Sequence, residues 1–370
     1  MQVDSLRIKF FRNYREAELD FAPGVNLLLG DNAQGKTNLL EAVYFLAAAR
    51  PLRARRESEL VLFGQDSARI DAHLSGGGRE YDVEMLLGQK RCRAVNGVRK
   101  QKLADYLGLV QAVFFTPDDL SLIRESPAAR RAFMDVALCQ LKPAYASLLA
   151  EHGKLCAQIA RILHDGQKKP SYYDFLDDFA YRLCCVGARM IPYRASFAEG
   201  LGVHAARFHS EISGGRENLS IAYRTVSTVK DPGASATQLG RDLWEHFKSH
   251  RDASIAAGKL LTSLQRDELE FSINTLDARL FASQGQARTA AIAAKLAERE
   301  LYRRSSGSLP LLLLDDVLSE LDAARRAYIL AGIREGQVFI TACSEGDIVI
   351  PAQRVFHVKQ GTILPSISNT

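Results

Sequence analysis

Residues 30–37 read Gly-Asp-Asn-Ala-Gln-Gly-Lys-Thr, the pattern Gly-x-x-x-x-Gly-Lys-Ser/Thr of a phosphate-binding loop. The apolar run Val25–Leu29 precedes it and the periodic run Asn38–Leu46 follows it. The loop therefore falls between a short buried strand and an amphipathic helix. That order turns backbone N–H groups toward a phosphate and adds the positive end of a helix. Gly30, Asp31, Asn32, Ala33, Gln34 and Gly35 form the cradle, and Asn38 continues into the helix. Lys36 reaches the β- and γ-phosphates, and the Thr37 hydroxyl holds Mg²⁺. A glycine-rich turn ahead of a helix is the plainer alternative, but the flanking pattern points to a bound nucleoside triphosphate.

Such a loop needs a carboxylate at the end of a second buried strand. Leu309-Pro-Leu-Leu-Leu-Leu-Asp-Asp316 is a continuous apolar run of the kind found in parallel sheets covered on both faces. Asp315 is placed to hold Mg²⁺, and Asp316 to polarise an attacking water. Two acids after a strand also cap helices, so the assignment leans on the loop. Lys36 and Asp315 lie roughly 280 residues apart, which requires a large insertion between them. Shortly before the Asp315 strand, Ser283-Gln284-Gly285-Gln286 opens an Ala-rich helix. A hydroxyl, a close-approach glycine and free N–H groups make it a second anion site, or simply a turn with a cap. Ser319-Glu-Leu-Asp322 follows, and then a strand Gln337–Thr341.

These segments in this order resemble the ABC/SMC class of ATPase heads. In that class Ser283–Gln286 matches the signature motif, Ser319 and Asp322 the D-loop, and Thr341 the switch position. Within the class the chain resembles the RecF family of bacterial recombination mediators. The residues carrying this are Phe10–Tyr14, the phosphate loop, Phe114–Leu120, Ser126–Asp135, Phe281–Thr289 and Leu311–Asp322. The resemblance implies an α/β fold, an ABC/SMC-type P-loop ATPase head with an inserted, mainly helical lobe. It implies ATP and Mg²⁺ as cofactors and weak, DNA-stimulated ATP hydrolysis with Lys36, Asp315, Asp316 and Thr341 as catalytic residues. It also implies dimerisation around ATP on gapped or single-/double-strand junction DNA, with RecO and RecR as partners in loading RecA. Arg12 and Asn13 are implied to lie near adenine and ribose, and Ser283–Gln286 to act in trans on a second copy's nucleotide. Some family features are absent. Thr262–Glu268 keeps only Arg266 and Asp267 of a longer family motif, Ala49–Arg53 departs from the family pattern, and no glutamine stands near Thr116–Asp119.

A chain of 370 residues with 47% hydrophobic content supports two domains with real cores. The expected division is an ATPase head over 1–122 and 260–370, interrupted by a helical lobe over 123–259. Leu138 to Ile162 and Tyr172 to Phe197 repeat apolar residues by threes and fours, which reads as a short antiparallel helical pair. Pro143 and Pro192 predict breaks or kinks in it. The net charge of +5 marks neither a strongly basic nor an acidic domain. No long apolar run and no signal core occur, so a cytoplasmic location is expected. Six cysteines and eight histidines show no metal-ligand spacing and read as reduced, buried thiols and ordinary histidines.

Arg50, Arg53, Arg55 and Arg56 form one cationic stretch, and Lys90, Arg91, Arg93, Arg99, Lys100 and Lys102 another. Either can neutralise DNA phosphates without reading sequence, and either can be a solvated face. Two other functions stay open. A transporter ATPase subunit requires a Q-loop glutamine and a switch histidine, neither of which is found. A nucleotide-gated DNA scaffold with negligible turnover requires neither.

Overall fold

The computed structural model describes residues 1–52, 54, 56–333, 335–344 and 351–364. Two compact units emerge. The first comprises Met1–Ser121, Glu211–Ser213 and the described part of Ala291–Thr370; the second comprises Leu122–Ser210 and Gly214–Ala290.

The first unit contains two six-stranded sheets. One is antiparallel, built from β1 (Gln2–Phe11), β2 (Tyr14–Asp20), β4 (Ser67–Gly76), β5 (Arg79–Gly88), β6 (Cys92–Val95) and β7 (Val98–Arg99) in the order β2-β1-β4-β5-β6-β7. The β4–β5 hairpin turns through Gly77-Gly78, with Gly76 opposite Arg79, and the β6–β7 hairpin through Asn96-Gly97, with Val95 opposite Val98. The other has the order β15-β14-β3-β13-β12-β8. Here β3 (Val25–Leu29), β13 (Val338–Ala342), β12 (Leu311–Leu314), β8 (Ala112–Phe115) and β14 (Arg354–Lys359) run parallel, and β15 (Thr362–Leu364) closes one edge antiparallel. Every residue of β3, β8, β12 and β13 is buried, which is why those strands read as apolar runs interrupted only by Asn26 in β3 and Thr341 in β13. Between β3 and the next sheet strand lies α1 (Lys36–Ala48). It is not the amphipathic helix expected: from Leu39 to Ala48 every residue is buried, Glu41 included. Tyr44 meets Phe114 of β8 edge to face, and the buried Tyr106 hydroxyl donates to the Leu46 carbonyl. The remaining helices of this unit are the major part of α7 (Gln284–Ser306) and α8 (Ala323–Gly332).

The second unit is mainly helical. Pro143 separates α2 (Pro127–Leu141) from α3 (Pro143–Gly166) and occupies the first turn of α3, where a missing N–H is harmless. Tyr145 near the start of α3 stacks edge-on against Tyr193 of α4, while Gly166 at its end abuts Tyr173, so the pair is antiparallel. But α4 (Leu176–Ser213) continues unbroken for 38 residues past Pro192. Met190, Ile191, Arg194 and Phe197 are all buried on either side, and that packing outweighs one lost backbone hydrogen bond. α5 (Ala236–Ala257) starts on a Ser235 cap and ends on left-handed Gly258.

The expected head boundary at residue 260 does not hold. β10 (Glu268–Ile273) pairs in six-residue register with β9 (Leu219–Arg224), and β11 (Leu276–Asp277) extends that sheet before the one-turn α6 (Ala278–Phe281). Residues up to Ala290 consequently fold with the second unit. The family-like Arg266-Asp267 pair sits here. Asp267 is fully buried and takes an ion pair from Arg194 at 2.5 Å, and Arg194 is also bonded to Asp135 at 2.9 Å and to the Tyr145 hydroxyl at 2.9 Å. Among the described residues no helix is long and apolar enough to cross a membrane, and no cluster of His, Cys, Asp and Glu has metal-site geometry. The six cysteines are free, but Cys185 and Cys343 are exposed, contrary to the expectation of burial.

Candidate nucleotide site

The phosphate loop is fixed from three sides. Gly35 has φ +120°, and a Cβ there would stand 2.7 Å from the Asn13 side chain, so this position requires glycine. Tyr14 Oη donates to the Gly35 carbonyl at 3.0 Å, and burial raises its phenol pKa, which keeps the donor protonated. Asn13 Nδ2 donates to the Gln34 carbonyl at 3.1 Å and Asn13 Oδ1 accepts from Asn38 Nδ2 at 2.8 Å. From the far end of the chain, Gly361 N donates to Gln34 O at 2.9 Å and Gln360 N to Gln34 Oε1 at 2.8 Å. Asp31, Asn32 and Ala33 remain exposed at the tip.

Lys36 is 4% exposed, and its ammonium folds back on the loop, donating to Gly30 O at 2.5 Å and Asp31 O at 3.0 Å. An ammonium has three donors, so it can exchange those carbonyls for phosphate oxygens without new side-chain burial. Thr37 Oγ1 lies 2.8 and 2.9 Å from the two oxygens of Asp315, which is 2% exposed at the end of β12. A hydroxyl beside a carboxylate is a hard oxygen-donor pair of the type that fits Mg²⁺. Thr341, at the end of the neighbouring β13, donates from Oγ1 to Asp315 Oδ1 at 3.0 Å and accepts from Asp316 N at 2.9 Å. One threonine thus orients both acids. Asp316 itself has φ +52°, a left-handed conformation that a non-glycine residue holds only when its surroundings fix it. It opens onto a cavity of about 530 Å³ lined also by Asn32, Ser319, Arg326, Thr341 and Cys343.

The other predicted residues are placed less simply. Arg12 is bidentate to Glu41, at 2.8 and 3.1 Å, and donates to the Glu59 carbonyl at 3.0 Å. Ser319 Oγ donates to the Asp316 carbonyl at 2.6 Å. Asp322 caps α8, accepting from Arg325 N at 2.9 Å, and pairs with the Arg325 side chain. Ser283 and Gln286 form a reciprocal capping box: Gln286 N donates to Ser283 Oγ at 3.2 Å and Ser283 N to Gln286 Oε1 at 2.8 Å. The Ser283 hydroxyl keeps its own proton for an outside acceptor. Gln284 is exposed, and the Gly285 carbonyl accepts from Thr289 Oγ1 at 2.9 Å.

Behind the signature runs a hydrogen-bond chain that no local motif announces. Gln286 Nε2 donates to Glu217 Oε1 at 2.9 Å, and Glu217 Oε2 lies 2.9 Å from Nε2 of the buried His209. Arg124 Nη2 donates to the Ala282 carbonyl at 2.6 Å. Of the cationic stretches, Arg53 and Arg55 lie outside the described residues. Arg91 and Arg93 share Glu57, at 3.1 and 3.2 Å, which reduces their net field, whereas Arg56 and Lys90 are exposed.

Comparison with known proteins agrees over the whole chain. The family model for the RecF/RecN/SMC N terminal domain matches residues 2–363. The chain is 37% identical to the DNA replication and repair protein RecF of Lacticaseibacillus casei (strain BL23), over 98% of this chain and 99% of that one. It is 36% identical to that of Listeria monocytogenes serotype 4b (strain CLIP80459), over 99% and 100%. A solved structure of the recombination mediator protein RecF-ATPrS in the RecFOR pathway superposes with a TM-score of 0.91 at 31% identity, over 98% of this chain and 97% of that one. An Smc head domain from Pyrococcus furiosus shares the fold, with a TM-score of 0.52 at 14% identity, covering 98% of this chain and 94% of that chain. With its phosphate loop, buried Asp315 and capped Ser-Gln-Gly-Gln turn in an ABC/SMC-type head, the chain belongs to the RecF family.

Proposed function

We propose that this chain is an ATP-switched DNA-binding mediator of recombination and repair, which dimerises around ATP at gapped or junction DNA. In this reading it works with RecO and RecR to promote RecA loading. The observation that carries the nucleotide part is the convergence of Thr37, Asp315 and Thr341 at the foot of the phosphate loop. Lys36 and the loop N–H groups bind the triphosphate. Thr37 and Asp315 would hold Mg²⁺, which when bound neutralises charge on the β- and γ-phosphates. Asp316, aimed into an open cavity, takes the proton of the attacking water or orients it. Ser283 and Gly285 of a second copy close over the γ-phosphate, and Ser319 lines the same cavity as Asp316. ATP then favours the dimer because it contacts both copies, and hydrolysis removes that preference.

DNA binding in this reading is non-specific and salt-dependent, through Arg56, Lys90 and the other cations of the two stretches. The first test is sedimentation of the full chain with and without ATP and gapped DNA, with single-turnover hydrolysis measured on the same samples. ATP-dependent dimers and DNA-stimulated turnover are expected. Lys36→Met should abolish both, and a Lys36→Met chain that binds ATP and dimerises normally places the nucleotide elsewhere. ATP-dependent dimers with no turnover on any DNA identify a nucleotide-gated scaffold instead.

A further inference from the structure

Leu276, Leu280 and Phe281 are 57%, 68% and 65% exposed, and all three stand just upstream of Ser283. Their exposure is built by the backbone. The turn between β10 and β11 places both Asn274 and Thr275 in the left-handed region, at φ 49° and 72°. Asp277 then caps α6 by accepting from Arg279 N at 2.8 Å. Of that one-turn helix only Ala278 is buried. The Ala282 carbonyl accepts from Arg124, so Leu280 and Phe281 are held outward beside the signature turn. Together the three side chains expose roughly 300 Å² of apolar surface, the scale at which a patch on a soluble protein marks an interaction site.

We propose that Leu276, Leu280 and Phe281 form an apolar rim that seals the signature turn against a second copy of this chain. The inference rests on the proposed action of Ser283–Gln286 in trans. The patch is continuous with that turn, so whatever closes over Ser283 covers the patch as well. A symmetric dimer presents the rim twice, a substantial share of the roughly 800 Å² per partner that a stable interface buries. Nucleic acid does not fit: the rim itself is apolar, Arg124 beside it is committed to the Ala282 carbonyl, Arg279 is the one cation within residues 276–281, and backbone recognition needs several. A sealed rim also excludes water from the phosphates, which strengthens every polar contact there.

The test is sedimentation with ATP of Leu280→Glu, Phe281→Glu and the double alanine variant Leu280→Ala/Phe281→Ala. Monomer ATP affinity and melting temperature serve as controls. The glutamate variants should weaken ATP-dependent dimerisation by at least about thirtyfold and the double alanine by about tenfold, with monomer ATP affinity unchanged. A Phe281→Trp reporter should shift its emission to the blue on adding ATP and return when ATP is hydrolysed. If the wild type dimerises and the glutamate variants dimerise equally tightly, the rim is refuted while the trans reading survives. If the glutamate variants lose ATP binding as monomers, the patch serves its own chain's nucleotide and the second-copy assignment is wrong. If the wild type forms no ATP-dependent dimer, both ideas fall.

Discussion

Thr341 supports the two acids of the proposed site, and Thr341→Val removes that support with almost no change in shape. The residue is 3% exposed, and its hydroxyl donates to Asp315 and accepts from the Asp316 N–H. Valine deletes a hydrogen bond to a charged group, worth about 1.5–3 kcal/mol, and strands a donor whose desolvation costs about 1–3 kcal/mol. Part of that loss is recovered because Asp316, at φ +52°, relaxes out of a conformation costing about 1–3 kcal/mol. Relaxation turns the Asp316 carboxylate away from its aim, so the loss falls on hydrolysis more than on binding. Single-turnover hydrolysis should drop about tenfold to a hundredfold, a barrier increase of about 1.4–2.8 kcal/mol. ATP affinity, carried by Lys36 and the loop, should weaken less than about fivefold. Thr341→Ser, which keeps the hydroxyl, should recover most of the rate. Wild-type hydrolysis by Thr341→Val, or equal damage from Thr341→Ser, would refute the reasoning.

Asp316→Asn should hydrolyse ATP at least about a hundredfold more slowly yet form a longer-lived ATP dimer, as read by sedimentation. Asp315→Asn should instead weaken Mg²⁺-dependent ATP binding, measured by titration with and without a chelator. Glu217→Gln should raise the ATP concentration needed for dimerisation by about tenfold without changing monomer ATP affinity, because the carboxylate orients Gln286 of the signature turn. Equal dimerisation by mutant and wild type would remove Glu217 from the account. His152 provides a pH test. Burial, with Arg194 nearby, lowers its pKa to about 4, below the 6.5 of an exposed imidazole. The unfolded chain therefore binds the proton first, so His152 contributes full stability above pH 6.5 and loses it as pH falls toward 4. Integrated over that interval the loss is about 3 kcal/mol, and His152→Gln should flatten this part of a denaturation-versus-pH curve.

The parts of the site that were legible in the sequence are those whose chemistry is local. The phosphate loop, the buried strand ending in Asp315 and the Ser283–Gln286 turn each combine a spacing with a flanking periodicity. What stayed hidden depends on partners far along the chain. Glu217 meets Gln286 from 69 residues away, and nothing in Gly-Gly-Arg-Glu-Asn marks it as support for a signature turn. Gln360 and Gly361 brace the phosphate loop from 326 residues beyond Gln34 for the Gln360 contact. The 260 boundary failed for the same reason, since a strand's domain is decided by its pairing partner, here β9. Pro192 does not break α4 because propensity acts on an isolated helix, whereas α4 is held by packing on both sides. In α1 the periodicity was real but too weak to reveal that the helix is covered all round.

The central claim is that the signature turn of one copy completes the nucleotide site of another, and mixing two mutants tests it most directly. Ser283→Arg should leave monomer ATP binding intact and block ATP-dependent dimerisation, while Lys36→Met should lose both. A mixed dimer combines the intact loop of the Ser283→Arg chain with the intact signature of the Lys36→Met chain. Sedimentation of the mixture with ATP should show heterodimer that neither mutant forms alone, at an affinity below that of the wild type. A Ser283→Arg chain that dimerises with ATP as tightly as wild type would contradict the account.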